Sequence, residues 1–313
     1  MLRPISGLTA CCIVLAMSLP AAAQICFTGA EIQPADQSSL QATAARLFRQ
    51  AATGDYAGLR QNSVPAIAAG FSGIMAAMGE NKPNLEGGRP STRAVYLLEV
   101  PGDAQRGEFF CGIVNSPESV AFFIPSLLPG RYGIVIQDVK GGKAPLAFTE
   151  ILQQTGTGWQ LAGLYLRPTQ IAGHDADWFL AKAREYKTRG QTRNAWFYYV
   201  TAWDLAAPVN FMSTPQLDKI SDEMLPLRPA DLPVGDNAPQ GLPAGGKTYK
   251  LTQIFPTTVG DNFGLVVKYQ VPSLADNRQS FLDNTAVLSA LVARAVAPDG
   301  QDYGTVLAMK DVK

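Results

Sequence analysis

The sequence predicts an α+β protein in which N-terminal helices pack on a curved antiparallel sheet, followed by a helical hairpin and a small β-β-α-β unit. Three observations support this class. Apolar residues recur at helical spacing after Cys26, six short β-like runs lie between Arg93 and Leu166, and the spacing becomes helical again after His174. A chain of 313 residues is long enough for two or three such units.

The composition is typical of a globular protein, with 47% hydrophobic and 17% charged residues. The formal net charge is zero, from 26 basic and 26 acidic side chains. A nucleic-acid-binding protein needs a dense positive surface to neutralise phosphates, and no segment of this sequence supplies one. The composition therefore argues against a nucleic-acid partner.

The N-terminus has the pattern of a secretory signal peptide. A positive start at Met1 to Arg3 precedes an apolar run from Leu8 to Leu19, and Ala21 and Ala23 are the small residues before a cleavage site. The apolar run is too short to span a bilayer. We expect cleavage after Ala23, which gives a periplasmic or secreted protein with no transmembrane segment in the mature chain.

The two cysteines of the mature chain, Cys26 and Cys111, predict one structural disulfide, because exported proteins usually oxidise their cysteines in pairs. The alternative is a redox pair, but the sequence has no C-x-x-C motif. One histidine and two distant cysteines do not form a ligand cluster, so we expect no metal and no cofactor.

The first helix is predicted to start at Asp36 or Ser38 and to end at Gly54-Asp55. Its apolar face contains Leu40, Ala44, Leu47, Phe48 and Ala51. The run AIAAGFSGIMAAMG, which follows Ser63, predicts one buried helix with close approach at Gly70 and Gly73. We expect a polar loop over residues 80–91.

Six β-like runs follow this loop, and the last three, YGIVIQDV, PLAFTEILQQ and WQLAGLYL, predict an antiparallel meander. The helices, the turn ATGDYAGLRQ and the closing hairpin FTEILQQTGTGWQLAGLYL resemble the nuclear transport factor 2-like superfamily, which includes SnoaL-like and ketosteroid-isomerase-like domains. The resemblance covers residues 33–168, within a predicted cone-shaped domain of residues 24–173. Members of this superfamily act as enzymes, binding domains or scaffolds, so the fold alone does not assign a function.

This resemblance implies a cavity for a small apolar ligand, or a site in which a carboxylate acts as base and a hydroxyl stabilises an oxyanion. The candidate acids are Asp138, Glu99 and Glu150. The candidate hydroxyl donors are Tyr132, Tyr96 and Tyr165. Asp138 shares strand parity with Ile134 and Ile136, so an apolar environment and a raised pKa are expected there; the alternative is an ordinary turn aspartate before Gly141-Gly142.

Residues 174–225 predict a helical hairpin joined at Gly190-Gln191, with small and aromatic residues in positions that resemble one tetratricopeptide repeat. Tyr198, Tyr199 and Trp203 on this hairpin are candidates for ligand or partner binding, and the alternative is that they form core. His174, beside Asp175, suggests acid–base chemistry. The alternative is that Asp175 caps the first hairpin helix, with Asp177 in its first turn.

Residues 226–247 are rich in Pro and Gly and predict a linker, and residues 248–313 predict the β-β-α-β unit. The sequence has no P-loop, G-x-S-x-G or S-x-x-K motif. The hypothesis is therefore an exported, non-catalytic binding or scaffold module, with a protein partner or a small apolar ligand. The alternative is a hydrophobic-ligand binder or a ketosteroid-isomerase-like enzyme that uses the cone.

Overall fold

A computed structural model describes residues 25–102, 106–113, 116–125, 127–233, 235–259, 262–271, 277–299 and 305–312. The fold mixes helices with antiparallel sheets, which confirms the α+β class. The predicted signal peptide, residues 1–23, lies outside the described residues.

The larger sheet, sheet A, is antiparallel and has the strand order β1-β2-β5-β6-β7. Its strands are β1 (Ile25–Thr28), β2 (Arg89–Val100), β5 (Gly130–Lys140), β6 (Leu146–Thr155) and β7 (Gly158–Pro168). The meander predicted from the last three β-like runs is therefore confirmed as β5-β6-β7. Long apolar stretches in β5 and β6 are buried on both faces of the sheet.

Four helices precede β2: α1 (Pro34–Thr53), α2 (Tyr56–Gln61), α3 (Pro65–Ala69) and α4 (Ser72–Leu85). Helix α1 contacts β2, β5, β6 and β7, and its predicted apolar face is buried against them. Gly133 in β5 permits this contact, since a side chain there would overlap Leu40. Gly54 ends α1 with a left-handed backbone (φ 74°), and Asp55 caps α2.

Three predictions for this helical region are wrong. Helix α1 begins at Pro34 after Gln33, because proline fits the first helical position, and not after Asp36 or Ser38. The single buried helix is two helices, α3 and α4, with mostly exposed side chains and open space at Gly70 and Gly73. Most of the loop predicted over residues 80–91 is regular, because α4 continues to Leu85 and β2 starts at Arg89.

A second sheet, sheet B, covers the face of sheet A opposite the helices. It has the order β10-β4-β3, from β3 (Arg106–Cys111), β4 (Val120–Pro125) and β10 (Met212–Ser213). Phe109 and Phe122 of sheet B pack on Leu98 and Ile134 of sheet A in one buried cluster. The disulfide between Cys26 and Cys111 joins the two sheets, which confirms the predicted pairing.

A short hairpin leads from sheet A into the helices. It consists of β8 (Gln170–Ile171) and β9 (His174–Asp175), and α5 (Ala176–Thr188), α6 (Thr192–Ala206) and α7 (Pro215–Met224) follow. Helices α5 and α6 form the predicted helical hairpin. The Trp178 backbone N–H donates to the Asp175 side chain, which confirms Asp175 as the N-cap.

The C-terminal unit has one strand more than predicted. Strand β11 (Gln240–Ala244) pairs with β12 (Lys247–Val259), although the Pro/Gly content of residues 226–247 predicts a linker. An edge strand tolerates such residues because one of its sides needs no ladder partner. Strand β13 (Asn262–Val271), helix α8 (Asn277–Asp299) and β14 (Thr305–Val312) complete the unit, with β13 and β14 parallel.

Candidate functional site

The structure does not give Asp138 the apolar environment that its strand parity predicts. Asp138 is half-buried near the end of β5 and forms an ion pair with Arg93 of β2. Glu99 is also paired, since the Arg131 Nε lies 3.3 Å from its carboxylate. Arg131 also donates to Asp36 of α1 at 2.6 Å. Both carboxylates therefore form ion pairs that join neighbouring elements of the fold.

The third candidate acid, Glu150, and the three candidate tyrosines lie on opposite faces of sheet A. Glu150 shares the helix-facing side of β6 with Phe148 and Leu152, which belong to the core beneath the helices. Tyr96, Tyr132 and Tyr165 belong to the cluster beneath sheet B. The Tyr132 hydroxyl donates to the Leu128 carbonyl at 2.9 Å. The sheet thus separates this acid from the hydroxyls that a ketosteroid-isomerase-like site would combine with it.

The interior between the helices and sheet A is filled by side chains. Leu47, Phe48, Phe148, Leu152 and Trp159 belong to one buried cluster there, and the rings of Phe48 and Phe148 meet edge-on at 5.3 Å. Close packing of this kind is typical of a hydrophobic core. This interior therefore does not support the small-ligand cavity that the family resemblance implies.

The aromatic candidates on the helical hairpin take part in internal packing. Tyr199 is fully buried, and its hydroxyl donates to Glu223 of α7 at 2.8 Å. Tyr198 is half-buried in a ring cluster with Phe179 and with Phe263 of the C-terminal unit. Trp203 is also half-buried, against the cluster around Tyr199. Their positions fit the alternative that these residues form core.

His174 also has a packing role. Its imidazole stacks on the Trp178 indole, with ring centroids 3.7 Å apart and an angle of 9° between the planes. The two-residue turn before it, Ala172-Gly173, has positive φ at both positions, 51° and 76°. These angles are typical of a type I′ turn, in which asparagine or glycine is usual at the first position. Ala172 is thus held in a strained backbone conformation.

This strained turn lines a cleft of about 850 Å³ where sheet A, the helical hairpin and the C-terminal unit meet. The volume lies within the roughly 300–1,000 Å³ of pockets that hold small ligands, and such pockets often lie between domains. Much of the lining is apolar. The apolar residues of the lining are Pro83, Ala144, Pro145, Pro168, Ile171, Ala172, Leu205 and Pro256. The polar side chains of the lining are Glu80, Asn84, Lys143, Arg167, Gln170, Asp204 and Thr257.

An ion pair between Arg167 and Asp204 lies in this cleft. Arg167 is near the end of β7 and Asp204 is in the last turn of α6, so the pair joins sheet A to the helical hairpin. The Arg167 Nη2 donates to the Asp204 Oδ1 at 2.8 Å. Burial raises the pKa of Asp204 from its ordinary value, and the charge of Arg167 opposes this shift without cancelling it. The pair is therefore partly dehydrated.

The wall of the cleft on the other side of the pair is held by hydrogen bonds to α4. The Lys143 backbone N–H donates to the Pro83 carbonyl at 2.8 Å, and the Ala144 N–H donates to the Asn84 side chain at 3.1 Å. These bonds fix the β5–β6 turn against the end of α4. They place Lys143 and Glu80 at the same opening, where both side chains are exposed.

Comparison of the chain with protein-family models, with curated proteins and with solved structures finds no match. Within the described ranges, no group of three or more His, Cys, Asp and Glu side chains is arranged to hold a metal ion. No described helix is both long and apolar enough to cross a membrane. The assignment of a function therefore depends on the geometry of the cleft.

Arg167 and Asp204 are not among the site residues that the sequence predicts. They are 37 positions apart in the chain, and neither belongs to a motif with a known spacing. The weak signal was their location, since Arg167 precedes a proline at the end of a predicted strand and Asp204 lies near the end of a predicted helix. Residues at the ends of elements that meet at a domain junction are good candidates for a site.

Proposed function

We propose that this protein is an exported, non-catalytic binding module that holds a small ligand in the cleft between its units. The observation that carries the proposal is the cleft itself, which combines a binding-site volume with a lining that is about half apolar and includes four charged side chains. A cleft bordered by three units is also a place where a bound ligand would contact elements from each of them.

Two further observations support the proposal. The disulfide between Cys26 and Cys111 favours export, because such bonds persist in oxidising compartments. The separation of Glu150 from the candidate tyrosines by sheet A favours binding over a ketosteroid-isomerase-like reaction, because that reaction needs the acid and the hydroxyl on one side of a substrate.

A thermal-shift screen of the mature protein, residues 24–313, tests this function. A library of small polar and amphipathic compounds is screened against wild type and against Gln170→Trp, which places an indole in the cleft at an exposed position. Gln216→Trp adds the same bulk at an exposed position of α7 outside the cleft and is the matched control. Compounds that bind the cleft should raise the melting temperature of wild type and Gln216→Trp only.

The variants must first show melting temperatures close to that of wild type in the absence of compound. A compound that stabilises all three proteins equally binds elsewhere. If every stabilising compound acts equally on all three proteins, or if no compound stabilises wild type, the cleft is not a binding site and the proposal is wrong.

A further inference from the structure

The ion pair in the cleft uses only part of its hydrogen-bonding capacity. A guanidinium carries five N–H donors and a carboxylate has two oxygens, but Arg167 and Asp204 share a single hydrogen bond, from Nη2 to Oδ1. In the part of the chain that the structure describes, neither side chain forms another hydrogen bond or ion pair. The Nε and Nη1 groups of Arg167 and the Oδ2 of Asp204 are therefore available to a ligand.

Other ion pairs in the same protein show what a completed pair looks like. Arg193 and Asp231 form two parallel hydrogen bonds, each 2.9 Å long, which occupy both carboxylate oxygens. Arg184 and Glu223 do the same, at 2.8 and 2.7 Å. Two-point pairing is the favoured geometry of arginine with a carboxylate. The single bond between Arg167 and Asp204 leaves N–H donors of the arginine next to the Oδ2 acceptor of the aspartate.

The charges that line the cleft balance one another. Arg167 and Lys143 are basic, Asp204 and Glu80 are acidic, and the described lining contains no aromatic ring. A ligand of one charge would face as many like charges as opposite ones. A sugar would lack the aromatic face on which it commonly stacks. The lining instead suits a ligand that carries both charges close together and an apolar group.

Resting on the function proposed above, we infer that the ligand is an α-amino acid with an apolar side chain, or a molecule with the same head group. Its ammonium would donate to the Asp204 Oδ2, and its carboxylate would accept from the edge of the Arg167 guanidinium that does not face Asp204. Its side chain would pack among the aliphatic and proline residues of the lining, which include Ile171 and Leu205. An ammonium and a carboxylate on one carbon match a donor and an acceptor that are neighbours in the cleft.

Titration calorimetry with three related compounds tests this inference on the mature protein. L-leucine carries both head-group charges, leucinamide lacks the carboxylate, and 4-methylpentanoate lacks the ammonium. Each deletion should weaken binding by about 10- to 100-fold, the range for loss of a hydrogen bond to a charged group. Leucine should also compete with any cleft-binding compound from the screen.

Two variants assign each charge to its partner. In Asp204→Asn, leucine should lose its advantage over 4-methylpentanoate and keep its advantage over leucinamide. In Arg167→Gln the pattern should be the reverse. The same substitutions in the completed pair, Asp231→Asn and Arg193→Gln, are the matched controls and should leave all three affinities unchanged. Circular dichroism of every variant verifies the fold.

The outcomes separate this inference from the proposed function. If the three compounds bind alike, or if cleft-binding compounds from the screen are insensitive to leucine and to Asp204→Asn, the amino-acid head group is wrong and the binding cleft stands. If leucine does not bind and no compound is sensitive to Gln170→Trp, both are wrong.

Discussion

Glu150 should make the protein less stable as the pH rises, and its replacement should remove that dependence. The residue lies in the middle of β6, opposite Val135 of β5 and Leu164 of β7, and its side chain is fully buried. In the described part of the structure neither carboxyl oxygen has a hydrogen-bond partner. Burial raises the pKa of this carboxyl well above 4.5, and its own backbone lowers the pKa by less.

The sign of the effect follows from proton binding. Above pH 4.5 the carboxyl loses its proton in the unfolded chain, but it keeps the proton in the folded protein until the raised pKa is reached. The stability associated with Glu150 is therefore fully present below pH 4.5 and is lost as the pH rises through the folded pKa. The loss is about 1.4 kcal/mol for each pH unit in this window.

The variant Glu150→Gln keeps the shape and the polarity of the side chain and removes the titration. Its free energy of unfolding should rise relative to wild type by about 1.4 kcal/mol per pH unit above 4.5. Glu150→Met also removes the buried polar group. It should raise the free energy of unfolding by roughly a further 1–3 kcal/mol, the usual cost of leaving such a group without a partner. Urea unfolding at pH 5, 6, 7 and 8, with a constant m value, measures both effects.

Glu118→Gln is the matched control, because Glu118 is exposed in the turn before β4. Its stability should follow that of wild type at every pH. A constant difference between Glu150→Gln and wild type from pH 5 to pH 8 would refute the reasoning, since it would mean that the folded carboxyl is already ionised. Such a result would require water or another group to reach the carboxyl inside the core.

Three further predictions concern a turn, an ion pair and the disulfide. Ala172→Asn should raise the free energy of unfolding by roughly 0.5–1 kcal/mol, because asparagine tolerates the left-handed backbone there better than alanine; a lower melting temperature in calorimetry would contradict the strain. Hydrogen bonds from Arg184 hold the pKa of Glu223 at about 2, so its stabilisation is present above pH 4.5 and is lost as the pH falls through about 2. Glu223→Gln should therefore cost roughly 1–2 kcal/mol in urea unfolding at pH 7, a value reduced for the exposure of the arginine, and much less at pH 2, where about half of the carboxyl groups are protonated; an equal cost at both pH values would count against the ionic contribution. The double variant Cys26→Ser and Cys111→Ser should lower the free energy of unfolding by about 4–5 kcal/mol for this loop of 85 residues, and a change below 1 kcal/mol would show that the crosslink adds little.

The local elements were predictable from the sequence where apolar spacing is regular and turn residues are distinct. The apolar face of α1, the break at Gly54-Asp55 and the cap at Asp175 follow from residues close together in the chain. The same holds for the β5-β6-β7 meander, because a polar turn separates each pair of strands. In these places local preference and the final fold agree.

Sheet B and the cleft could not be predicted, because they depend on contacts between distant parts of the chain. A continuous apolar strand such as GIVIQDV indicates burial on two faces but does not say what covers the second face. Asp138 has the strand parity of a buried residue, and only its place near the strand end, beside Arg93, keeps it partly exposed. The pairing of Arg167 with Asp204 likewise requires β7 and α6 to meet at one junction.

The disulfide also determines how the protein would respond to a pulling force. Tension applied to the chain before β1 reaches Cys26, from which the covalent bond carries it to Cys111 in sheet B. The force would therefore not separate β1 from β2, and the chain between the two cysteines would carry no tension. The crosslink spans 85 residues, so it prevents roughly 300 Å of chain extension, at about 3.5 Å per residue. Helices α1 to α4 and strand β2 lie within this protected loop, and reduction of the bond would release them to unravel under load.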